Sequence, residues 1–290
     1  MKQEIGNVLQ IWGASGETIH YYPNPGNSGD ALIAAATWQV FDLLGIFPQI
    51  SKPAEFQQGA SVVLGGGGNL VPLYSDIQRA LERCLEVDVR RCLLLPHTIR
   101  GHEQLLSRLD RRFTLCCRDI PSFEHVVRHA PRAVPILSDD MAFSINVTVL
   151  ERRVATLRHR FSLLLDRDWR KGAGRWREGL SKCRPDKQGV LTILRGDRES
   201  LAPAWGGDKA LDLPDHYRLK HGGRAGCDQV ALDLIHCLRS AKKVVTDRLH
   251  IALPCALLGV PFEVIDNNYG KLFAVFDLSL PGKVVFRAQA

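Results

Sequence analysis

Ser61-Val62-Val63-Leu64, followed at once by Gly65-Gly66-Gly67-Gly68-Asn69, is the stretch on which the fold of this chain turns. A short run without polar alternation, stopped by glycines, reads as a strand buried on both faces, the kind that parallel sheets contain. The same rhythm extends on either side of it. Upstream, residues 18–22 read as a strand that ends in the Pro/Asn/Gly cluster 23–29. Asp30 then stands where it could cap a helix whose apolar residues Leu32, Ile33, Ala36, Val40 and Leu43 follow helical spacing, with Gly45 as its stop. Downstream, residues 76–86 are helical in pattern, and Cys92-Leu93-Leu94-Leu95 reads as the next strand, with Pro96-His97-Thr98 just beyond its carboxyl end. Residues 102–109 read as helix, 113–117 as strand, 121–129 as helix with proline at its start, and 134–137 as strand. Strands that alternate with helices predict a parallel, doubly wound sheet.

The second half resumes this rhythm. Residues 190–194, 242–246 and 261–265 read as strands, and 228–240, 249–258 (despite Pro254) and 269–277 as helices. We therefore expect an α/β fold of two Rossmann-like domains with parallel sheets, residues 1–149 and 188–290, joined by a basic helical connector over 150–187. In that connector Val154, Leu157, Phe161, Leu164 and Leu165 recur at helical spacing among Arg152, Arg153, Arg158 and Arg160, and Trp169 and Trp176 follow. Two readings stay open for it: an interdomain helix with a solvated basic face, or a helix that lies on an anionic membrane surface.

Composition narrows the function classes. The chain has 290 residues, 45% hydrophobic and 24% charged, as in ordinary globular proteins. It contains no run of about 18 apolar residues, which predicts no membrane span. No apolar segment follows Met1-Lys2-Gln3-Glu4, so we expect no secretory signal and a cytoplasmic address. The net charge of +7 is concentrated: between Glu151 and Lys187 twelve Lys or Arg face five Asp or Glu, a surplus equal to that of the whole chain. Elsewhere the charges balance, which argues against a nucleic-acid-binding domain. The eight cysteines, Cys84, Cys92, Cys116, Cys117, Cys183, Cys227, Cys237 and Cys255, form no C-x-x-C pair and mostly sit in apolar runs, which predicts small buried hydrophobes and no metal site.

Ligands of open α/β sheets bind at the carboxyl ends of strands, where helix N-termini present free N–H groups. Three segments place polar residues there. In Pro25-Gly26-Asn27-Ser28-Gly29-Asp30, glycines permit close backbone approach, and Asp30 can either cap the helix or accept a proton from a sugar hydroxyl. The glycines at 65–68 imply close contact with a ligand or with other backbone. In Thr246-Asp247-Arg248-Leu249-His250, Arg248 offers a fork of donors for carboxylate or phosphate. His250 can exchange protons near neutral pH. An ordinary ion pair at a helix start is the plainer reading of that triplet.

Taken in order, these segments resemble the polysaccharide pyruvyl transferase family. The resemblance rests on Gly26-Asn27-Ser28-Gly29-Asp30-Ala31-Leu32-Ile33, Gly65-Gly66-Gly67-Gly68-Asn69-Leu70, Arg118-Asp119-x-x-Ser122 and Ser138-Asp139-Asp140-Met141-Ala142-Phe143. It continues at Thr246–His250, Gly259-Val260-Pro261 and Asn268-Tyr269-Gly270-Lys271. It implies a GT-B-like pair of domains, the N-terminal one on the acceptor side and the C-terminal one binding the donor, phosphoenolpyruvate, with no further cofactor. Arg248, Leu249 and His250 fall on the family's donor-binding triplet, Arg195 on a second donor-binding arginine, and Asp30 on an acidic position near the acceptor. His250 and Asp30 are the catalytic candidates. Asn27, Gly29, Gly66, Gly67, Asn69, Arg118 and Lys271 join the substrate-binding set, as does His97, which also reads as a structural histidine. The acceptor would be a sugar of a polysaccharide or of its lipid-linked precursor, with peripheral membrane contact through 150–187.

A nucleotide-sugar glycosyltransferase and a non-catalytic carbohydrate-binding protein of the same fold are the alternatives. The glycines at 65–68 lack the third glycine of G-x-G-x-x-G, because Leu70 follows Asn69, which argues against a dinucleotide oxidoreductase. Neither G-x-x-x-x-G-K-[ST] nor H-E-x-x-H occurs, so a P-loop NTPase and a zincin are unsupported.

Overall fold

The computed structural model describes residues 3–196, 211–266 and 270–286. The described residues of Met1–Pro25 and Ala36–Ile145 form one compact unit, and those of Gly26–Ala35 and Asn146–Ala290 form another. Both are mixed α/β, with parallel sheets of a Rossmann-like kind.

The chain runs through α1 (Gln3–Ala14), β1 (Ile19–Tyr22), α2 (Ser28–Leu43), β2 (Gln49–Ile50), β3 (Ser61–Leu64) and β4 (Gly67–Leu70). It continues with α3 (Asp76–Glu86), β5 (Arg91–Ile99), α4 (Glu103–Leu106), β6 (Phe113–Cys117), α5 (Ile120–His129) and β7 (Val134–Leu137). The strands form a parallel sheet in the order β2-β1-β3-β5-β6-β7, with β4 paired to the outer end of β5. Strand order reverses between β1 and β3, the switch point beside which open sheets bind ligands. All four residues of β3 are buried, as its unbroken apolar run predicts. Val62, Leu64, Leu94 and Leu115 join Ile77 and Leu81 of α3 in one apolar core.

The structure departs from the sequence pattern at three places. The segment Pro96-His97-Thr98 lies inside β5, not beyond it. Pro96 sits where the ladder to β6 shifts register, between Leu94 and His97, so its missing N–H breaks nothing. The strand then continues because β4 supplies a fresh partner, Gly67 opposite His97 and Leu70 opposite Ile99. Gly67 and Gly68, read as part of a strand's stop, are accordingly strand residues themselves. Finally, α4 begins only at Glu103, because His102 adopts a left-handed conformation (φ 59°) that no α-helix contains.

In the second unit, α6 (Val147–Val154), α7 (Leu157–Leu165) and α8 (Arg167–Lys182) precede β8 (Val190–Ile193), α9 (Arg224–Arg239), β9 (Lys243–Thr246), α10 (Leu249–Leu258), β10 (Phe262–Val264) and α11 (Lys271–Ser279). The strands form a parallel sheet in the order β10-β9-β8, with Ile193 and Val264 both opposite Thr246. The residues that follow the three strands therefore meet along one edge. Trp169 and Trp176 anchor α8 inward, and the indole Nε1 of Trp176 donates to Asp233 at 3.0 Å. The final helix was expected from Tyr269, which lies outside the described residues.

Candidate active site

The carboxyl edge of the β8–β10 sheet gathers the charged groups. Leu194 and Arg195 follow β8, and the backbone N–H of Arg195 donates to Asp247 Oδ1 at 2.8 Å. Asp247 and Arg248 follow β9. Arg248 has extended backbone and stands as the N-cap of α10, while its N–H donates to Thr246 Oγ1 at 3.0 Å. Its guanidinium pairs through Nη2 with Asp212, whose Oδ2 also accepts the N–H of Gly196 at 2.8 Å. Asp212 thus ties the chain leaving β8 to the arginine leaving β9. Arg248 and Arg195 are both only 8% exposed. Burial pushes the Asp247 carboxyl up to about 6, against the opposing pull of the Arg195 N–H and the two guanidiniums.

Residues 26–35 belong with these groups. Gly26 forms an antiparallel bridge to Leu219, each donating its N–H to the other's carbonyl at 3.0 and 2.9 Å. The loop after Leu219 is pinned by Asp168, whose Oδ2 accepts the N–H groups of Lys220, His221 and Gly222 at 3.1, 2.7 and 3.0 Å. From that bridge α2 starts at Ser28 and not at Asp30. Asn27 Oδ1 accepts the N–H of Gly29 at 2.8 Å, and Asp30 Oδ2 accepts the N–H of Asn27 at 2.9 Å. This reciprocal pair is a variant of the capping box, with aspartate in the place of glutamate and the cap side chain on the N–H two residues on instead of three. Asp30 thereby does the capping expected of it, from inside the first turn.

The first turn of α2 faces the first turn of α10. A Cβ built on Gly29 would lie 2.8 Å from His250 Nδ1 and 3.0 Å from His250 Cβ, so only glycine leaves room for this imidazole. Ser28 beside it is fully buried, and its Oγ has no hydrogen-bond partner among the described residues. Asn27, Gly29, Asp30, Arg195, Arg248, Leu249 and His250 thus share one unit. Two helix N-termini, two guanidiniums and an imidazole suit a small multiply charged anion. Lys271 opens α11, beyond β10, whose first turn is capped by Asp266 accepting from Leu272 N–H at 3.0 Å.

The remaining candidates lie in the first unit, where the geometry gives most of them a second task. The Gly65 N–H donates to the Tyr22 carbonyl at 2.8 Å, and a Cβ at Gly65 would lie 2.4 Å from the backbone nitrogen of Asn24. Of the two contacts that the glycine run implied, backbone against backbone is the one seen at this position. Gly66 and Gly67 are buried beyond it. His97 is fully buried, its Nε2 lying 3.2 Å from the Asn69 nitrogen and 2.9 Å from Asn69 Oδ1, so it fastens β4 to β5. Arg118 is buried too, with Nη1 donating to Asp140 at 2.6 Å and Nε to Thr98 Oγ1 at 3.0 Å. Asp119 caps α5 through the Ser122 N–H at 2.8 Å and accepts from Arg100 at 2.9 Å. This network joins the carboxyl ends of β5, β6 and β7.

Asp212, Asp168 and Ser28 carried no role in the sequence, and Asp247 had none beyond its place in the Thr246–His250 segment. Asp212 and Asp168 meet partners 16 to 54 positions away, at which distance no local pattern signals a pair. Asp247 does carry a signal, as the residue just before a site arginine at a strand end.

A family model described as polysaccharide pyruvyl transferase matches residues 27–191, from the α2 cap to the start of β8. None of the curated proteins matches the chain. Among solved structures, a functionally uncharacterized protein from Klebsiella pneumoniae subsp. pneumoniae NTUH-K2044 superimposes with a TM-score of 0.77 at 23% identity. That match covers 100% of this chain and 99% of the other, and it carries the fold alone.

Proposed function

This chain belongs to the polysaccharide pyruvyl transferase family, and from that premise we propose that it transfers pyruvate from phosphoenolpyruvate to two hydroxyls of a sugar as a cyclic ketal. The acceptor is a sugar of an exopolysaccharide or of its lipid-linked precursor, met on the cytoplasmic side. The single observation that carries this reading is the convergence of Arg248, Arg195 and His250 with the first turn of α2 at one sheet edge. Phosphoenolpyruvate bears a carboxylate and a phosphate, and guanidiniums with helix N-termini suit both groups.

In this reading Arg248 and Arg195 neutralise the donor; Asp212 pairs with the Arg248 guanidinium, and Asp247 holds the Arg195 backbone N–H. A proton delivered to the donor's methylene carbon turns it into a methyl group and leaves an oxocarbenium-like centre at the neighbouring carbon. A sugar hydroxyl adds there and gives up its proton, for which Asp30 is the base in addition to its capping bond from the Asn27 N–H. The C–O bond to phosphate breaks, a second hydroxyl of the same sugar adds and loses its proton, and the ring closes. One phosphate leaves, and of the two hydroxyl protons one balances the methyl group and the other goes to phosphate or solvent. His250 supplies the first proton or holds the departing phosphate. No cofactor beyond the donor enters this scheme.

The test is phosphate release from phosphoenolpyruvate with galactose-, glucose- and mannose-containing acceptors, and a product heavier by one pyruvate ketal. Arg248→Ala and His250→Ala should each lower turnover about a hundredfold or more. Near-normal turnover in both, in an active preparation, overturns the assignment. Dependence on a nucleotide sugar in place of phosphoenolpyruvate points to a glycosyltransferase.

A further inference from the structure

The basic connector separates its charges from its apolar residues in an unusual way. On α7, Leu157, Phe161, Leu164 and Leu165 are 70%, 68%, 67% and 81% exposed. At 100° per residue these four occupy an arc of about 100° on the outward side of the helix. Arg160 and Arg158, both exposed, flank that arc on either side. His159 points the other way and is buried, and Leu163 beside it is half-buried, where α7 packs on α8 and α9. The helix is thus amphipathic with its apolar face toward solvent.

Charge around it is of one sign. Exposed Arg152 precedes α7, and exposed Arg167, Arg170 and Lys171 follow it on α8. The two acids within residues 152–171, Asp166 and Asp168, are buried and spent on backbone N–H groups of Trp169, Gly226 and residues 220–222. The helix is also held at both ends, by Thr156 accepting the His159 N–H at 3.1 Å and by Asp166 at the α7–α8 corner. It presents a built surface: a row of four large apolar side chains rimmed by arginines.

We propose that this face of α7 docks on an anionic lipid bilayer, with Leu157, Phe161, Leu164 and Leu165 entering the acyl boundary and the arginines meeting the headgroups. A second copy of the chain fits the face less well, because it would set like-charged rims against each other. A nucleic acid would leave the apolar row without a partner. Among the described residues no helix is long and apolar enough to cross a membrane, so the contact is lateral. The inference stands apart from the catalytic reading and is tested without turnover.

The full chain is mixed with vesicles of phosphatidylcholine alone or with phosphatidylglycerol added, and the bound fraction is measured by flotation. Binding is expected only to the anionic vesicles and should weaken as salt is raised. Each basic side chain near such a surface contributes about fivefold, so Arg158→Gln with Arg160→Gln should lower the partition roughly 25-fold. Phe161→Ser with Leu164→Ser should lower it about tenfold per anchor. Both pairs are exposed, so melting temperatures should stay near that of the parent chain. Absence of binding to anionic vesicles overturns the proposal, as does binding that neither pair of substitutions changes. Concentration-dependent self-association that Phe161→Ser with Leu164→Ser abolishes would assign the face to a second copy instead.

Discussion

Replacing Gly29 by alanine adds one carbon at the place where the first turns of α2 and α10 meet. The new Cβ would start 2.8 Å from His250 Nδ1, and ordinary contact begins at 3.4 Å, so the imidazole must withdraw by at least 0.6 Å. Misplacement of a reacting group by about 1 Å costs roughly a hundredfold in rate, so this shift should lower turnover by about ten- to a hundredfold. Stability should change little, because alanine is the better helix former by up to about 1 kcal/mol, which offsets part of the crowding against Asn27 Oδ1 at 3.1 Å. The assay is phosphate release with the best acceptor, run beside a thermal melt, in the parent chain and in the His250→Ala background. Once the imidazole is gone, Gly29→Ala should cause no further loss, the non-additivity expected of neighbours. Turnover within about twofold of the parent would refute the reasoning. So would an equal loss in both backgrounds, since the effect would then bypass His250.

Other expectations are independent of turnover. Asp140→Ala strands the fully buried Arg118 and should destabilise the protein by about 3–5 kcal/mol, measured by urea unfolding. Asp247 makes stability depend on pH. Its folded carboxyl titrates at about 6 because of burial, while an unfolded aspartate titrates near 4. Between those values the folded state holds the extra proton, so its stabilising effect is present at the acid end and is lost as pH rises through about 6. Asp247→Asn should flatten that fall in a melting series from acid to neutral pH, and an unchanged profile would contradict it.

Most of the parallel architecture was legible in the sequence because buried strands announce themselves as unbroken apolar runs. β3, β6 and β7 fall where their residue types place them. The extension of β5 through Pro96 was not legible, since it depends on β4 arriving as a partner from another part of the chain. Gly65 shows the same limit. Its need for a missing side chain comes from Asn24, some forty positions earlier, and four glycines in a row do not say which of them is crowded or by what. In the site, Arg248 and His250 stood out by residue type at a strand end, whereas Asp212 behind Arg248 lies 36 positions away and carries no mark. The periodicity of residues 154–165 likewise gave an apolar face without its direction. The row on α7 points outward because His159 and Leu163 take the inward positions.

The bridge between Gly26 and Leu219 bears on how this molecule can be cut. Ten residues, 26–35, pack with the later half of the chain although they are translated long before it. A fragment beginning at Asn146 would therefore carry Arg248 and His250 but leave behind Gly29, which makes room for the imidazole, and the Asn27–Asp30 cap that starts its helix. The complementary fragment would retain those ten residues with nothing to hold Gly26 in place. Expression boundaries, chimeras and circular permutants of this protein must keep that early strip together with the later half, whatever the linear order suggests.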